Sequence, residues 1–256
     1  MSSTSGKWRE TNPYEFYETP PEAVEDLLLN VPEILVDPRG GVPQYVDPGC
    51  GTGAIGLYLR QRYQEVFGVV PDVLGVELDA VRGERAAEDG LAVAIADFTT
   101  LEYGQLHPTH VVGNPPFSLL LSFILTSLSL MEDGCLVALL LPLNYLGSGA
   151  SRLHVLRPPS GIWRVVSLTD RPSFCIAVHC RKCKGAWQYS RNLPMASAVH
   201  PPHLGCGLVG QPPRAKSPYR GSRTDSVNYA WAVWQKGFVG MPQLAITETR
   251  KQRVGA

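Results

Sequence analysis

Short apolar runs at residues 44–46, 73–76, 92–96, 110–113 and 135–141 are each followed by Asp, Glu, Asn or Pro, the pattern of buried β-strands that stop at turn or polar residues. Between them the apolar positions fall on one helical face. The stretch opening at Thr19-Pro20-Pro21 and carrying Ala23, Val24, Leu27 and Leu28 predicts a helix with Thr19 as its N-cap and proline in the first turn. Residues 54–62, 80–89 and 118–131, the last with Ser118 as N-cap, predict three more. Strands and helices alternating at this interval predict parallel crossovers and a three-layer α/β sheet. Two later runs, 163–168 and 228–234, bring the expected strands to seven; the second, NYAWAVW, alternates in bulk. The apolar residues 119–131 are interrupted by serines and too short to span a bilayer, and residues 1–18 carry no apolar signal core, so an intracellular, cytoplasmic protein is expected.

What stands at the carboxyl ends of these strands matters most, because that rim is where open parallel sheets bind ligands. The first strand runs into Asp47-Pro-Gly49-Cys-Gly51-Thr-Gly53 and then a helix. Glycines there permit backbone conformations closed to other residues and let a ligand lie against the turn. Dinucleotide sites use similar glycines to seat pyrophosphate on a helix N-terminus, but a carboxylate at Asp47 repels pyrophosphate and attracts an ammonium group, directly or through water. The second strand ends at Glu77, placed to accept hydrogen bonds from ribose hydroxyls, with Asp79 as a rival. The third ends at Asp97 and Phe98, a carboxylate for an exocyclic amine and a ring to lie against a base. The fourth ends at Asn114-Pro115-Pro116-Phe117, which begins 67 residues after Asp47.

The net charge of zero hides a division. Residues 1–150 carry 7 Lys+Arg against 20 Asp+Glu, whereas residues 151–256 carry 16 against 3. A basic half joined to an acidic body points to a polyanion partner, since Lys and Arg contacts to phosphate supply most of the affinity for nucleic acid. A hydrophobic share of 44% supports a real core and excludes a disordered chain. The roughly sixty residues between the last two strands form too long a loop to stand without another organising force. Cys175, Cys180, Cys183 and Cys206 fall there with His179, His200 and His203. Cys180-x2-Cys183 and His203-x2-Cys206 carry the two-knuckle spacing of a structural zinc site, with Cys175, His179 and His200 as competing ligands and free thiols as the alternative. Arg181, Lys182 and Lys184 surround the first knuckle with Trp187 and Tyr189, a mixture suited to phosphate contact and base stacking.

In this order and spacing, Asp47-x-Gly49-x-Gly51-x-Gly53, Glu77, Asp97-Phe98 and Asn114-Pro-Pro-Phe117 resemble the motif series of class I S-adenosylmethionine-dependent methyltransferases. The resemblance covers residues 12–170 and resumes at 224–234. It implies a Rossmann-like, seven-stranded methyltransferase sheet with a Cys/His-rich insertion between its last two strands. The implied division is a catalytic domain of residues 1–174 and 224–249, a basic insertion of residues 175–223 acting as a zinc-binding target-recognition element, and a basic tail at 250–256. S-adenosylmethionine is the implied cofactor, held by Tyr17, Thr19, Pro20, Asp47, Gly49, Gly51, Gly53, Glu77, Asp97 and Phe98. Asn followed by two prolines and Phe resembles the enzymes that methylate the N(6) amine of adenine, and Tyr17-Glu-Thr19-Pro20-Pro21 resembles their N-terminal cofactor motif.

Arg171-Pro-Ser-Phe174 and Thr224-Asp225-x3-Tyr229-Ala-Trp231-x2-Trp234 resemble the close of the catalytic domain in phage-type DNA adenine methyltransferases. The expected activity is therefore methyl transfer to adenine in DNA. The Asn114 side-chain oxygen and the Pro115 carbonyl would accept the amine hydrogens and stabilise the charge developing on nitrogen. Pro115 and Pro116 each restrict the residue before them, and Phe117 would stack on the extruded base. Arg171, Arg181, Lys182 and Lys184 are the expected nucleic-acid contacts. Adenine in RNA suits the same pocket, and glutamine-directed protein methyltransferases share a similar string with Tyr. A nucleic-acid-binding protein with a vestigial site is the non-enzymatic alternative.

Overall fold

The computed structural model describes residues 18–102, 104, 106–147, 153–156, 161–170, 172, 178–179, 186–187 and 227–248. Its strands in chain order are β1 (Gln44–Pro48), β2 (Asp72–Glu77), β3 (Ala92–Ile95), β4 (His110–Gly113), β5 (Leu136–Pro142), β6 (Ile162–Ser167), β7 (Val178–His179), β8 (Ala186–Trp187), β9 (Tyr229–Gln235) and β10 (Gln243–Ile246). All but β7 and β8, which pair with each other, join one sheet in the order β10-β6-β9-β5-β4-β1-β2-β3. Neighbours from β3 to β5 are parallel. β9 lies antiparallel between β5 and β6, so β6 runs in the same direction as β5 and ends on the same rim as β4.

The sheet has eight strands, one more than the expected seven. The eighth, β10, pairs in parallel with β6 along the sheet edge. Leu244 and Ile246 are exposed there beside an exposed Gln243, so the inside-outside contrast that betrays a strand is missing.

The helices are α1 (Pro21–Asn30), α2 (Ala54–Phe67), α3 (Ala80–Glu88), α4 (Leu120–Leu130) and the short α5 (Leu153–Leu156). Two expected caps are corrected. Pro20, not Thr19, is the N-cap of α1; the Thr19 hydroxyl is taken up by a longer-range contact. Ser118 lies within a 3-10 turn, Phe117–Leu119, and α4 starts after it with no side-chain cap.

Two buried clusters flank the sheet. One holds Val24 and Leu27 of α1 and Leu59 of α2, and the other Leu120, Ile124 and Leu128 of α4. The alternation in β9 explains itself here: Tyr229, Trp231 and Val233 enter the first cluster, Ala232 and Trp234 the second. Each fully buried indole N–H finds an acceptor, Trp231 on the Ala23 carbonyl at 2.7 Å and Trp234 on that of Val155 at 2.7 Å, which averts the cost of an unpaired buried donor. The first of these ties α1 to the sheet beside the rim. Among the described residues no helix is long and apolar enough to cross a membrane.

Candidate active site

The turn after β1 is shaped by glycines with positive φ. Gly53 takes φ +85° as the left-handed N-cap of α2, and a Cβ there would sit 3.1 Å from the Ala86 Cβ and 3.2 Å from Leu91 Cδ2, so conformation and packing both demand glycine. The backbone donors of this turn face inward. Gly49 and Cys50 both donate to the Val76 carbonyl, at 2.8 and 3.1 Å, and Gly53 donates to the Cys50 carbonyl at 2.8 Å. Gly51 donates to Glu77 Oε2 at 2.8 Å. A pyrophosphate cradle needs such N–H groups pointing at the ligand; in this turn four of them are spent within the protein.

Beside the turn lies a cavity of about 300 Å³. Thr19, Asp47, Gly49, Glu77, Asp97, Phe98, Asn114 and Pro116 all line it, so the structure gathers residues from four strand ends and from the approach to α1. Among the described residues its acidic lining is Glu18, Asp47, Glu77 and Asp97 against one cation, Arg82, whose Nε is already 3.9 Å from Asp79. Such a wall favours a cationic ligand and repels a polyphosphate.

Asp47 is the most buried of these carboxylates. Its Oδ2 accepts from the Gly56 N–H at 3.0 Å, while its Oδ1 has no hydrogen-bond partner among the described residues. Burial pushes its carboxyl up to about 8; the Gly56 N–H works against that shift and the charge of Glu77 adds to it. A buried acceptor left open inside a cavity is a place for a donor that arrives with a ligand.

Glu77 is also buried. Its Oε2 accepts from Gly51 and its Oε1 from the Asp79 N–H at 2.9 Å, and each oxygen keeps a second lone pair for a ligand hydroxyl. Its rival Asp79 caps α3, accepting from Val81 and Arg82 N–H groups at 3.0 and 3.2 Å, and does not line the cavity. Asp97 lines the cavity, and its Oδ1 accepts from the N–H and hydroxyl of Thr99 at 2.9 and 2.7 Å. Phe98 is a core residue, stacked on Phe123 with ring centroids 5.2 Å apart, and both rings line the wall.

Asn114 follows directly on β4, where Gly113 packs so tightly on β1 that a Cβ would come within 2.7 Å of Pro48 Cδ. Its Nδ2 donates to the Thr19 hydroxyl oxygen at 3.0 Å, across 95 residues of sequence. Pro115 is buried and Pro116 lines the cavity. Phe117 is half-buried and off the wall, its ring 5.8 Å from that of the buried Tyr229. Pro20, Gly51 and Gly53 likewise shape the site without lining it. Sequence reasoning missed Glu18, Thr52, Leu78, Arg82 and Phe123, all on the wall. Leu78 had a signal, as a large apolar residue at a strand end just after Glu77, and it is 62% exposed.

Tyr17, Arg171, Cys180, Arg181, Lys182, Cys183, Lys184, His203 and Cys206 lie outside the described residues. Among the described residues no three His, Cys, Asp or Glu side chains are grouped to hold a metal. Cys50, free and buried, has its thiol pushed up by burial and by the charges of Asp47 and Glu77, which makes it inert.

Solved structures place this architecture. A protein of Listeria monocytogenes assigned as a class I S-adenosylmethionine-dependent methyltransferase overlays 90% of this chain with a TM-score of 0.55 at 12% identity. This chain spans 66% of that protein's length. A protein of Agrobacterium tumefaciens assigned as an O-methyltransferase matches over 88% of this chain and 84% of its own, with TM-score 0.49 and 15% identity. TrmN of Thermus thermophilus matches over 84% of this chain and 48% of its own, with TM-score 0.43 and 17% identity. No protein-family model matches the chain, and no curated protein does. The fold is the Rossmann-like α/β methyltransferase fold of the Listeria protein.

Proposed function

We propose that this chain is an S-adenosylmethionine-dependent methyltransferase acting on the N(6) amine of adenine in DNA. The observation that carries the reading is the acidic cavity with the open acceptor of Asp47 in its lining and Asn114 on the same wall. The residues suit the donor: an ammonium and a sulfonium match a wall of four carboxylates against one paired guanidinium, and the inward-facing glycine turn disfavours a dinucleotide. When bound, S-adenosylmethionine supplies a methyl group activated by positive sulfur.

The chain's own groups divide the remaining work. Asp47 holds the ammonium, Glu77 the ribose hydroxyls, and Asp97 the adenine amine of the donor, with Leu78 and Phe98 as apolar flanks. The target amine is a poor nucleophile because its lone pair is delocalised into the ring. The Asn114 oxygen and the Pro115 carbonyl accept its hydrogens, favour a tetrahedral nitrogen and stabilise the charge that forms on it; removal of one such preorganised group costs about a hundredfold to a thousandfold in rate. Phe117, braced by Tyr229, supplies a stacking face for the extruded base. Arg171, Arg181, Lys182 and Lys184 contact phosphates, and Cys180, Cys183, His203 and Cys206 hold a structural zinc. Preference for DNA rests on the likeness at residues 171–174 and 224–234 to phage-type adenine enzymes.

Incubation with methyl-labelled donor and, separately, duplex DNA, single-stranded DNA, RNA and protein tests the substrate. Label recovered as N(6)-methyladenine from DNA is expected. Label recovered only from RNA or from glutamine side chains would replace the substrate, and transfer to none of the four would overturn the assignment.

A further inference from the structure

Among the described residues four carboxylates line the cavity, and three of them have a part of the donor to hold: Asp47 the ammonium, Glu77 the ribose and Asp97 the adenine. Glu18 has none. It is half-buried, on the segment that enters α1, and it is bracketed from two sides. The Thr52 hydroxyl, in the glycine turn, donates to its Oε1 at 3.4 Å, and its chain neighbour Thr19 bonds Asn114 Nδ2 at 3.0 Å. Glu18 therefore stands where the turn that receives the amino-acid end of the donor meets the residue that receives the target amine. A donor lying along this wall, with its ammonium at Asp47 and its methyl aimed at Asn114, brings its sulfur to that junction.

We infer that Glu18 selects the charged donor over its spent product: it faces the sulfonium, and its attraction ends when the methyl leaves. The inference rests on the methyltransferase reading and deepens it, since it names what separates substrate from product in that same site. In the transfer the amine lone pair forms the N–CH3 bond, the S–CH3 electron pair stays on sulfur, and the amine gives up a proton to water, so the sulfur is left as a neutral thioether. The ammonium, the ribose and the adenine are the same in donor and product. Selection between the two is a difference of affinities, and it falls to a charge placed at the sulfur.

Calorimetry on the full chain at pH 8 and low salt tests this with three ligands. S-adenosylmethionine carries the sulfonium; sinefungin has an amine-bearing carbon in place of the methylated sulfur and keeps a positive charge there; S-adenosylhomocysteine is neutral at sulfur. The wild-type protein should bind the two charged ligands about tenfold more tightly than S-adenosylhomocysteine, a factor toward the low end for a charge pair at contact because Glu18 is half in water. Glu18→Gln should lose that preference while its affinity for S-adenosylhomocysteine stays within about twofold of wild type, and Glu18→Asp should keep part of it. Raising the salt should shrink the preference. Asp47→Asn, by contrast, should weaken all three ligands together, since each carries the same ammonium. Equal wild-type affinity for the three, or a Glu18→Gln variant that keeps the preference, would overturn the inference and leave the methyltransferase reading standing. Equal weakening of all three by Glu18→Gln would also overturn it, and would mark Glu18 as a structural partner of Thr52. Binding of none of the three by the wild-type protein would sink the methyltransferase reading and the inference with it.

Discussion

Binding of S-adenosylmethionine should strengthen steeply with pH, and Asp47 sets the slope. In the free protein this buried carboxyl titrates near 8, so at pH 6 only about one molecule in a hundred carries the charge that an ammonium needs. The folded-state value lies above the ordinary one, so the proton is held at low pH and released as pH rises toward 8; each unit in that window is worth about 1.4 kcal/mol, or tenfold. Between pH 6 and 8 the affinity should therefore rise by about twenty-five-fold and pass through a maximum near pH 8, where the carboxyl is half ionised and the ligand's own ammonium, with an ordinary value near 8, has lost half of its protons. Calorimetric titration across this range measures the slope, and buffers of different ionisation enthalpy at pH 6.5 should report about one proton released per ligand bound. Asp47→Asn should bind weakly and without the slope. 5′-Methylthioadenosine, which lacks the ammonium, should bind without the slope to both proteins. A flat wild-type profile, or a slope that survives in Asp47→Asn, would refute the placing of the ammonium on Asp47.

Asn114→Ala should lower the rate of transfer in the labelled-methyl assay by about a hundredfold to a thousandfold, with donor affinity held within about threefold because Asn114 acts on the acceptor amine. Glu77→Gln leaves an amide NH2 facing either the Gly51 or the Asp79 N–H, both now bound by carboxylate oxygens; urea unfolding should show a loss of about 1–3 kcal/mol, and donor binding should weaken with it. Purified protein should contain one equivalent of zinc by metal analysis, and Cys183→Ser should contain none. Neutralising Arg181, Lys182 and Lys184 together should flatten the dependence of DNA affinity on salt, measured by fluorescence anisotropy across a salt series, by a slope of up to about 3.

The strands of the central sheet were legible because buried parallel strands are continuous apolar runs, and the polar residue that ends each run marks the binding rim. Asp47, Glu77, Asp97 and Asn114 could thus be placed on one wall from spacing alone, and the cavity gathers all four. β10 was not legible because an edge strand with Leu244 and Ile246 exposed carries no inside-outside contrast. Thr19 and Ser118 both look like caps in the chain, yet the real capping by a side chain in this region is done by Asp79 and Asp97; a short polar side chain has several equivalent partners until the fold chooses one. The Thr19–Asn114 bond joins positions 95 apart, a separation at which no local pattern operates. The inward turn of the Gly49, Cys50, Gly51 and Gly53 donors is a property of backbone geometry, invisible in a string of glycines.

The central claim, that the acidic cavity accepts a cationic amino-acid donor and not a dinucleotide, is tested most directly by titrating the protein at pH 8 with S-adenosylmethionine and with NAD in parallel. The expected result is one S-adenosylmethionine bound per chain and no detectable heat from NAD at the same concentrations. Binding of NAD with equal or greater affinity, displaced by S-adenosylmethionine only weakly, would contradict it.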